Sequence, residues 1–172
     1  MKNIFLTVLL LLTAGTASLT AESFGSAGSF DDDDYTLAEM LKYAMEDEQM
    51  ALAEYEAIMA EFNLDRPYSN IADSEKTHIS YLEELYVAHN IEIPYVDVES
   101  HLIVPGSSNE AASLGVEAEI NNIAMYEKFL AGDLPQDVRE VFEYLKKGSE
   151  NHLKAFERQV ERGTASNSGR RR

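Results

Sequence analysis

Four long segments of the sequence repeat apolar side chains at the spacing of an amphipathic helix. In each segment the apolar residues recur alternately three and four positions apart, which places them on one stripe along a helix. A stripe of this kind has to be buried against other helices. The pattern predicts helices over residues 36–63, 69–90, 109–131 and 135–162.

The lengths of the connections indicate how these helices are arranged. Only a few residues join helix 1 to helix 2 and helix 3 to helix 4, so each pair is expected to form an antiparallel hairpin. Helices 2 and 3 are separated by the much longer connection of residues 91–108, which can run along the bundle. The predicted fold class is all-α, a ferritin-like four-helix bundle with one long crossover between helices 2 and 3.

Outside the helical segments the composition changes at both ends. Residues 1–21 combine a lysine, an apolar run and small residues, which is typical of a signal peptide cleaved after Ala17 or Ala21. The apolar run is shorter than the roughly 20 residues that span a bilayer, so we expect no stable membrane anchor after cleavage. The mature protein is expected to be secreted or periplasmic. Residues 22–35 are predicted to be a flexible acidic linker, residues 36–162 the bundle, and residues 163–172 a disordered tail.

The composition limits the kinds of site and partner. The chain has no cysteine, which excludes disulfides, thiolate metal ligands and cysteine nucleophiles. Its formal net charge is −17, with 31 acidic against 14 basic residues, whereas nucleic-acid binding needs clustered lysine and arginine. An acidic surface instead attracts cations. We therefore expect metal ions and no nucleic acid as partners, in a monomer or a homodimer.

Carboxylate and imidazole side chains interrupt the apolar stripe near the middle of every helix. A carboxylate in a protein core is costly unless it is neutralised, paired or bound to a cation. No lysine or arginine occupies a stripe at that height, so a metal explains three glutamates and two histidines better than ion pairs do. The predicted metal ligands are Glu48, Glu75, His78, Glu119 and His152.

The order and spacing of these residues match those of di-iron and di-manganese bundles, with one exception. Such bundles take one glutamate from each of two helices and a Glu-x-x-His motif from each of the other two. Glu75 and His78 form one such motif, with both side chains on one face of the helix. In helix 4, Ser149 stands where the second glutamate is expected, three residues before His152.

Two stretches, residues 70–78 (NIADSEKTH) and residues 148–156 (GSENHLKAF), carry a family resemblance. They resemble the second-helix and fourth-helix signatures of an uncharacterised ferritin-like family, a domain of unknown function related to rubrerythrin and ferritin. The similarity extends over residues 37–160. The resemblance implies a ferritin-like fold and a metal-binding role for the five residues named above, but it implies no particular reaction.

Ser149 leaves the number of bound ions open. Rubrerythrins and ferritins carry a complete second Glu-x-x-His, which Ser149 interrupts here. Glu150 reaches the core only if the helix is distorted, because a shift of one residue rotates a side chain by about 100°. Glu117 is the alternative ligand from helix 3. The expected cofactor is iron, as one or two ions, with manganese or zinc as alternatives, because oxygen and nitrogen ligands suit these metals.

Two tyrosines share the spacing of the predicted ligands. Tyr55 follows Glu48 by seven residues, and Tyr126 follows Glu119 by seven residues. They are either core residues or catalytic residues that donate hydrogen bonds to ligating carboxylates or relay radicals. The predicted function is an exported metal-binding protein with oxidase, ferroxidase or peroxidase-like chemistry on O2 or H2O2. The alternative is a non-catalytic bundle that a bound metal ion stabilises and that serves as a metal carrier or an interaction module.

Overall fold

The computed structural model describes residues 24–32 and 34–169. This part of the chain is all-helical and contains no strand, which confirms the predicted all-α class. The predicted signal peptide, residues 1–21, lies outside the described residues. The five helices are α1 (Gly25–Ser29), α2 (Leu37–Phe62), α3 (Tyr68–Ala88), α4 (Ser108–Leu130) and α5 (Gln136–Gly169).

Local signals set the ends of the long helices. The Thr36 side chain accepts a hydrogen bond from the backbone N–H of Glu39, and the Glu39 carboxylate accepts one from the backbone N–H of Thr36. At the other end of α2, Asn63 has a φ of 49°, a left-handed conformation that asparagine tolerates. Ser107 caps α4 by accepting a hydrogen bond from the backbone N–H of Glu110. These features set where α2 begins and ends and where α4 begins.

The four long helices pack as two pairs. α2 packs against α3 and α4 packs against α5, while smaller contacts between α2 and α4 and between α3 and α5 join the pairs. Residues 63–67 connect the members of the first pair, and residues 131–135 connect those of the second. The long connection of residues 89–107 leads from α3 to α4. The short and long connections therefore lie where the sequence predicted them.

The hydrophobic core consists of two clusters. Every long helix contributes to both of them. On α2, Met45 belongs to one cluster and Tyr55 to the other, and on α5 Leu145 and Phe156 divide in the same way. Complete burial of one such side chain contributes about 1.5–3 kcal/mol. The middle of the bundle is thus enclosed by apolar packing on both sides.

The beginning of the described chain differs from the flexible linker that the sequence predicted over residues 22–35. Residues 24–32 include helix α1, which packs against α2 and α4. Its Gly25 and Ser26 backbone N–H groups donate hydrogen bonds to the carboxylates of Glu46 and Asp47 at 2.9 and 2.7 Å. The small residues that suggested flexibility instead allow close packing of the backbone, because they place little side-chain volume between it and α2.

The end of the chain also differs from the expected disordered tail, residues 163–172. Helix α5 continues through Gly163 to Gly169. A single glycine lowers helix stability by only about 1 kcal/mol relative to alanine, so it does not have to end a helix. Among the described residues, none of the helices combines the length and the apolar composition that a membrane crossing requires.

Candidate metal centre

The five predicted ligand side chains meet in the middle of the bundle. Helices α2, α4 and α5 each supply one of them and α3 supplies two. All five are buried, with exposed fractions of 1% to 6%. Their nitrogen and oxygen atoms form two groups, and within each group the atoms lie within 4.8 Å of one another. The first group is Glu48, Glu75 and His78, and the second is Glu75, Glu119 and His152.

In the first group, one nitrogen of His78 faces two carboxylates. His78 Nδ1 lies 2.9 Å from Glu48 Oε2 and 2.8 Å from Glu75 Oε2. The other ring nitrogen, Nε2, lies 3.3 Å from the hydroxyl oxygen of Ser74. Because Nε2 has this partner outside the group, Nδ1 is the nitrogen that is available to a metal ion.

In the second group, His152 is placed without a well-formed hydrogen bond. Its Nδ1 lies 3.0 Å from Glu75 Oε1 and 3.4 Å from Glu119 Oε1, but it is aligned for a hydrogen bond with neither. Buried polar atoms nearly always have a partner. A cation between this nitrogen and the two carboxylates would satisfy all three side chains, so the residues fit a metal ion.

Glu75 belongs to both groups. Its Oε2 atom faces His78 and its Oε1 atom faces His152. The two imidazole rings are stacked, with centroids 5.6 Å apart and an interplanar angle of 24°. A carboxylate with one oxygen directed into each group is placed to bridge two ions, and each ion would then have two carboxylates and one imidazole.

Ser149 lies beside the centre and joins a hydrogen-bond network. Its hydroxyl donates to Asn122 Oδ1 at 3.0 Å. The Asn122 amide nitrogen donates to Asp47 and lies 3.4 Å from Glu48 Oε1. The apolar stripes of the sequence did not indicate Asn122 or Asp47. Asn122 follows Glu119 by three residues and thus lies on the same helix face, a spacing that could have indicated it.

The two alternative carboxylates lie outside the centre. Glu117 is exposed on the surface of α4. Glu150 lies 2.7 Å from the ammonium group of Lys147, and this hydrogen bond lowers the pKa of the Glu150 carboxyl. Neither belongs to either group. α5 therefore contributes only His152 to the groups, with Ser149 in the place of a carboxylate.

The two predicted catalytic tyrosines bond to the ligand carboxylates in a crossed arrangement. Tyr55 of α2 donates to Glu119 Oε1 of α4 at 2.8 Å, and Tyr126 of α4 donates to Glu48 Oε1 of α2 at 2.6 Å. Burial, followed by the charge of these glutamates, raises the pKa of both phenols well above the usual value. The tyrosines are thus protonated donors that connect the two helix pairs.

The three glutamates differ in how readily they ionise. Burial and the repulsion of Glu75 raise the pKa of Glu48 to about 7. Burial also raises the pKa of Glu119. Burial opposes ionisation of Glu75 as well, but the nearby imidazoles of His152 and His78 outweigh it and lower the pKa. Glu75 is therefore the carboxylate that most strongly retains its negative charge.

The imidazoles supply the opposite charge when no cation is bound. Burial favours neutral rings, but the carboxylates outweigh it and raise the pKa of His78 to about 10 and that of His152 to about 9. In residues 24–32 and 34–169, no lysine or arginine forms an ion pair with the three glutamates. Buried charges need such compensation. Protons or metal ions must provide it, and a metal ion has to displace the protons.

A groove between α3 and α5 leads from the surface to the imidazoles. Its volume is about 400 Å³, and its wall includes Ser74, His78, Gly148 and His152. The other two histidines lie away from the centre. His89 lies 2.9 Å from Asp137 at the surface, and His101 stacks on Phe24.

Comparison with known proteins identifies the family. Residues 37–169 match the family model described as Uncharacterized protein domain (DUF2202). The Uncharacterized protein MJ0754 of Methanocaldococcus jannaschii is 30% identical over an alignment of 130 residues, gaps included, and the match covers 67% of this chain and 70% of that protein. A crystal structure of hypothetical protein MJ0754 from Methanococcus jannaschii DSM 2661 is similar with a TM-score of 0.67 and 25% identity, over 77% of this chain and 85% of that one. The chain therefore belongs to the family of the uncharacterized protein domain DUF2202.

Proposed function

We propose that this protein is an exported, ferritin-like four-helix bundle that binds one or two iron ions in the centre described above. We further propose that it carries out oxidase, ferroxidase or peroxidase-like chemistry on O2 or H2O2. The observation that carries the proposal is the pair of buried Glu-Glu-His groups that share Glu75. Export is supported by the signal-peptide pattern of residues 1–21. The ferritin-like arrangement is supported by the two helix pairs and the long connection between them.

The ligand set suits hard and intermediate metals. Carboxylate oxygens and imidazole nitrogens favour iron, manganese or zinc over soft metals. Among these, iron bound here would supply the electrons needed to reduce oxygen or peroxide. The chain itself supplies Glu75 as the shared carboxylate and His78 and His152 as the nitrogen donors.

The surrounding residues hold the ligands and limit contact with water. Tyr126 and Tyr55 orient Glu48 and Glu119 through the hydrogen bonds described above. Both phenols are also close enough to the ligand carboxylates to relay a radical, which is the second catalytic role we propose for them. The two apolar clusters keep bulk water out, while the groove between α3 and α5 offers a small molecule a route to the imidazoles.

A second function is favoured by Ser149. Its hydroxyl bonds to Asn122 where a di-iron bundle would place another carboxylate. With one carboxylate fewer, the centre could hold a single zinc, manganese or iron ion that only stabilises the bundle. The protein would then be a metal carrier or an interaction module without catalytic activity.

Metal analysis distinguishes these functions. We would purify the wild-type protein aerobically, together with Glu119→Ala and the matched control Glu117→Ala, which removes an exposed glutamate from the same helix. Elemental analysis should find metal in the wild type and in Glu117→Ala, and less metal in Glu119→Ala. Two iron ions per chain with a near-ultraviolet ferric absorption band support redox chemistry. One colourless ion per chain supports the non-catalytic bundle that a metal ion stabilises. A wild-type protein that binds no metal after reconstitution contradicts both.

A further inference from the structure

Gly148 lies in the interior of α5 and faces the imidazole of His78. A Cβ atom at position 148 would lie 2.5 Å from both Cε1 and Nε2 of that ring. Ordinary contacts of a Cβ atom begin at 3.4 Å, so a side chain here would force a displacement of about 0.9 Å. Glycine in a helix interior is destabilising relative to alanine. Its presence here therefore calls for a packing reason, and His78 provides one.

The His78 ring is held from several directions. Its Nδ1 atom lies 2.9 Å from Glu48 and 2.8 Å from Glu75, and its Nε2 atom lies 3.3 Å from Ser74 Oγ. Tyr144 meets the ring edge-on at a centroid distance of 5.9 Å, and His152 stacks against it. A methyl group at position 148 would thus move the ring relative to its carboxylates, because Tyr144 and His152 pack against other parts of the ring.

We propose that Gly148 is a positioning residue: the absence of a side chain there allows His78 Nδ1 to reach the Glu48 and Glu75 carboxylates. As a statement about metal binding this rests on the proposed function. Metal–ligand distances are constrained to within about 0.2 Å, so a displacement of about 0.9 Å disrupts binding at this group. The three atoms nearest to the Cβ position of residue 148 all belong to His78, so we expect the second group to keep its ligands.

A double-mutant cycle between Gly148→Ala and His78→Ala tests the inference. The probe is Zn²⁺, titrated into metal-free protein and followed by calorimetry. Gly148→Ala should weaken zinc binding at one position by about tenfold or more, the size typical of residues that orient a ligand. In the His78→Ala background the same substitution should change zinc affinity no further. Equal zinc affinities of Gly148→Ala and the wild type would overturn the inference.

The control is Gly115→Ala, a second glycine within a helix whose added Cβ would meet an aromatic ring. At that position the Cβ would lie 2.9 Å from the ring of Phe156. Gly115→Ala should change the melting temperature without weakening zinc binding at the His78 group. If it weakens that binding as much as Gly148→Ala does, general loss of packing explains the effect and the inference fails.

Thermal stability of the metal-free protein separates this inference from the proposed function. With His78 present, Gly148→Ala should lower the melting temperature, because the methyl group and the ring compete for space. With His78→Ala, it should leave the melting temperature unchanged or raise it, because alanine favours the helix. This coupling would persist in a protein that binds no zinc at all. If Gly148→Ala folds only in the His78→Ala background, that rescue supports the inference, whereas an equal effect in both backgrounds refutes it.

Discussion

Glu75 is the side chain on which both halves of the centre depend. Its two oxygens lie 2.8 Å from His78 Nδ1 and 3.0 Å from His152 Nδ1. Among the described residues it alone belongs to both groups of possible ligands. A substitution at Glu75 should therefore have a different effect from one at Glu48 or Glu119, each of which belongs to a single group.

We expect Glu75→Gln to abolish metal binding at both groups of ligands. A neutral amide is a poor metal ligand and cannot balance the positive charge of two imidazoles or two ions. Glu48→Gln should weaken metal binding at the first group, which contains Glu48, and leave binding at the second group unchanged. Elemental analysis after reconstitution with iron measures both effects. Glu84→Gln, an exposed change on the same helix, is the control. Retention of an ion by Glu75→Gln at wild-type affinity would show that Glu75 is not shared.

The buried phenol of Tyr126 should contribute to stability through its bond to Glu48. Tyr126→Phe removes the 2.6 Å donor of that carboxylate oxygen and leaves it only the Asn122 amide at 3.4 Å, and loss of a donor to a buried acceptor costs about 1–3 kcal/mol. Urea denaturation of the metal-free protein should show a loss of that size. Tyr95→Phe, at a side chain that is 90% exposed, should leave stability unchanged. Equal stabilities for Tyr126→Phe and the wild type would mean that the bond is not formed in solution.

At the scale of the helices, α1 shows how a short element is held by its surroundings. Five residues are too few to form a stable isolated helix. The Lys128 ammonium group of α4 donates to the backbone oxygens of Ser29 and Asp32 at 3.1 and 2.7 Å. The hydroxyl of Tyr35 also donates to the Ser29 carbonyl. Long-range contacts of this kind order a segment whose own composition favours flexibility.

We expect Lys128→Met to release residues 24–32 from the bundle, because two charge-assisted hydrogen bonds are lost while the apolar stem of the side chain is kept. Hydrogen exchange should become faster in residues 24–32 and remain slow in α2 and α4. Lys154→Met, an exposed change on α5, is the matched control. Unchanged exchange in residues 24–32 would mean that other contacts suffice to hold the segment.

At the scale of the whole molecule, the centre links all four long helices. Metal bound only by the folded protein stabilises it by RT ln(1 + [L]/Kd), about 4 kcal/mol at a free metal concentration of 1,000 Kd. For a domain of this size, 1 kcal/mol corresponds to about 2–4 °C in melting temperature. Removal of the metal with a chelator should therefore lower the melting temperature by roughly 10 °C, and addition of metal should restore it.

Calorimetry on the chelated and reconstituted protein measures this difference. The Glu75→Gln variant provides the control, since its melting temperature should not respond to either treatment. An equal melting temperature before and after complete metal removal would show that protons on His78 and His152 compensate the carboxylates as well as an ion does.

Much of the architecture follows from the sequence alone. Apolar periodicity, helix caps and connection lengths are properties of neighbouring residues, and they placed the bounds of α2, α3 and α4 within two residues of those observed. The same periodicity indicated that Glu48, Glu75, His78, Glu119 and His152 face inward at one height, because a residue on an apolar stripe has to enter the core. Four helices with aligned stripes therefore bring these side chains together.

Other features depend on partners that are distant in the chain, so only the tertiary structure decided them. The pairing of each tyrosine with the glutamate of the opposite helix, and the division of the centre at Glu75, depend on how the helix pairs are rotated against each other. The order of α1 and the close approach of Gly148 to His78 likewise depend on contacts between elements. Local spacing determines which face of a helix a residue occupies, whereas packing determines which atoms it meets there.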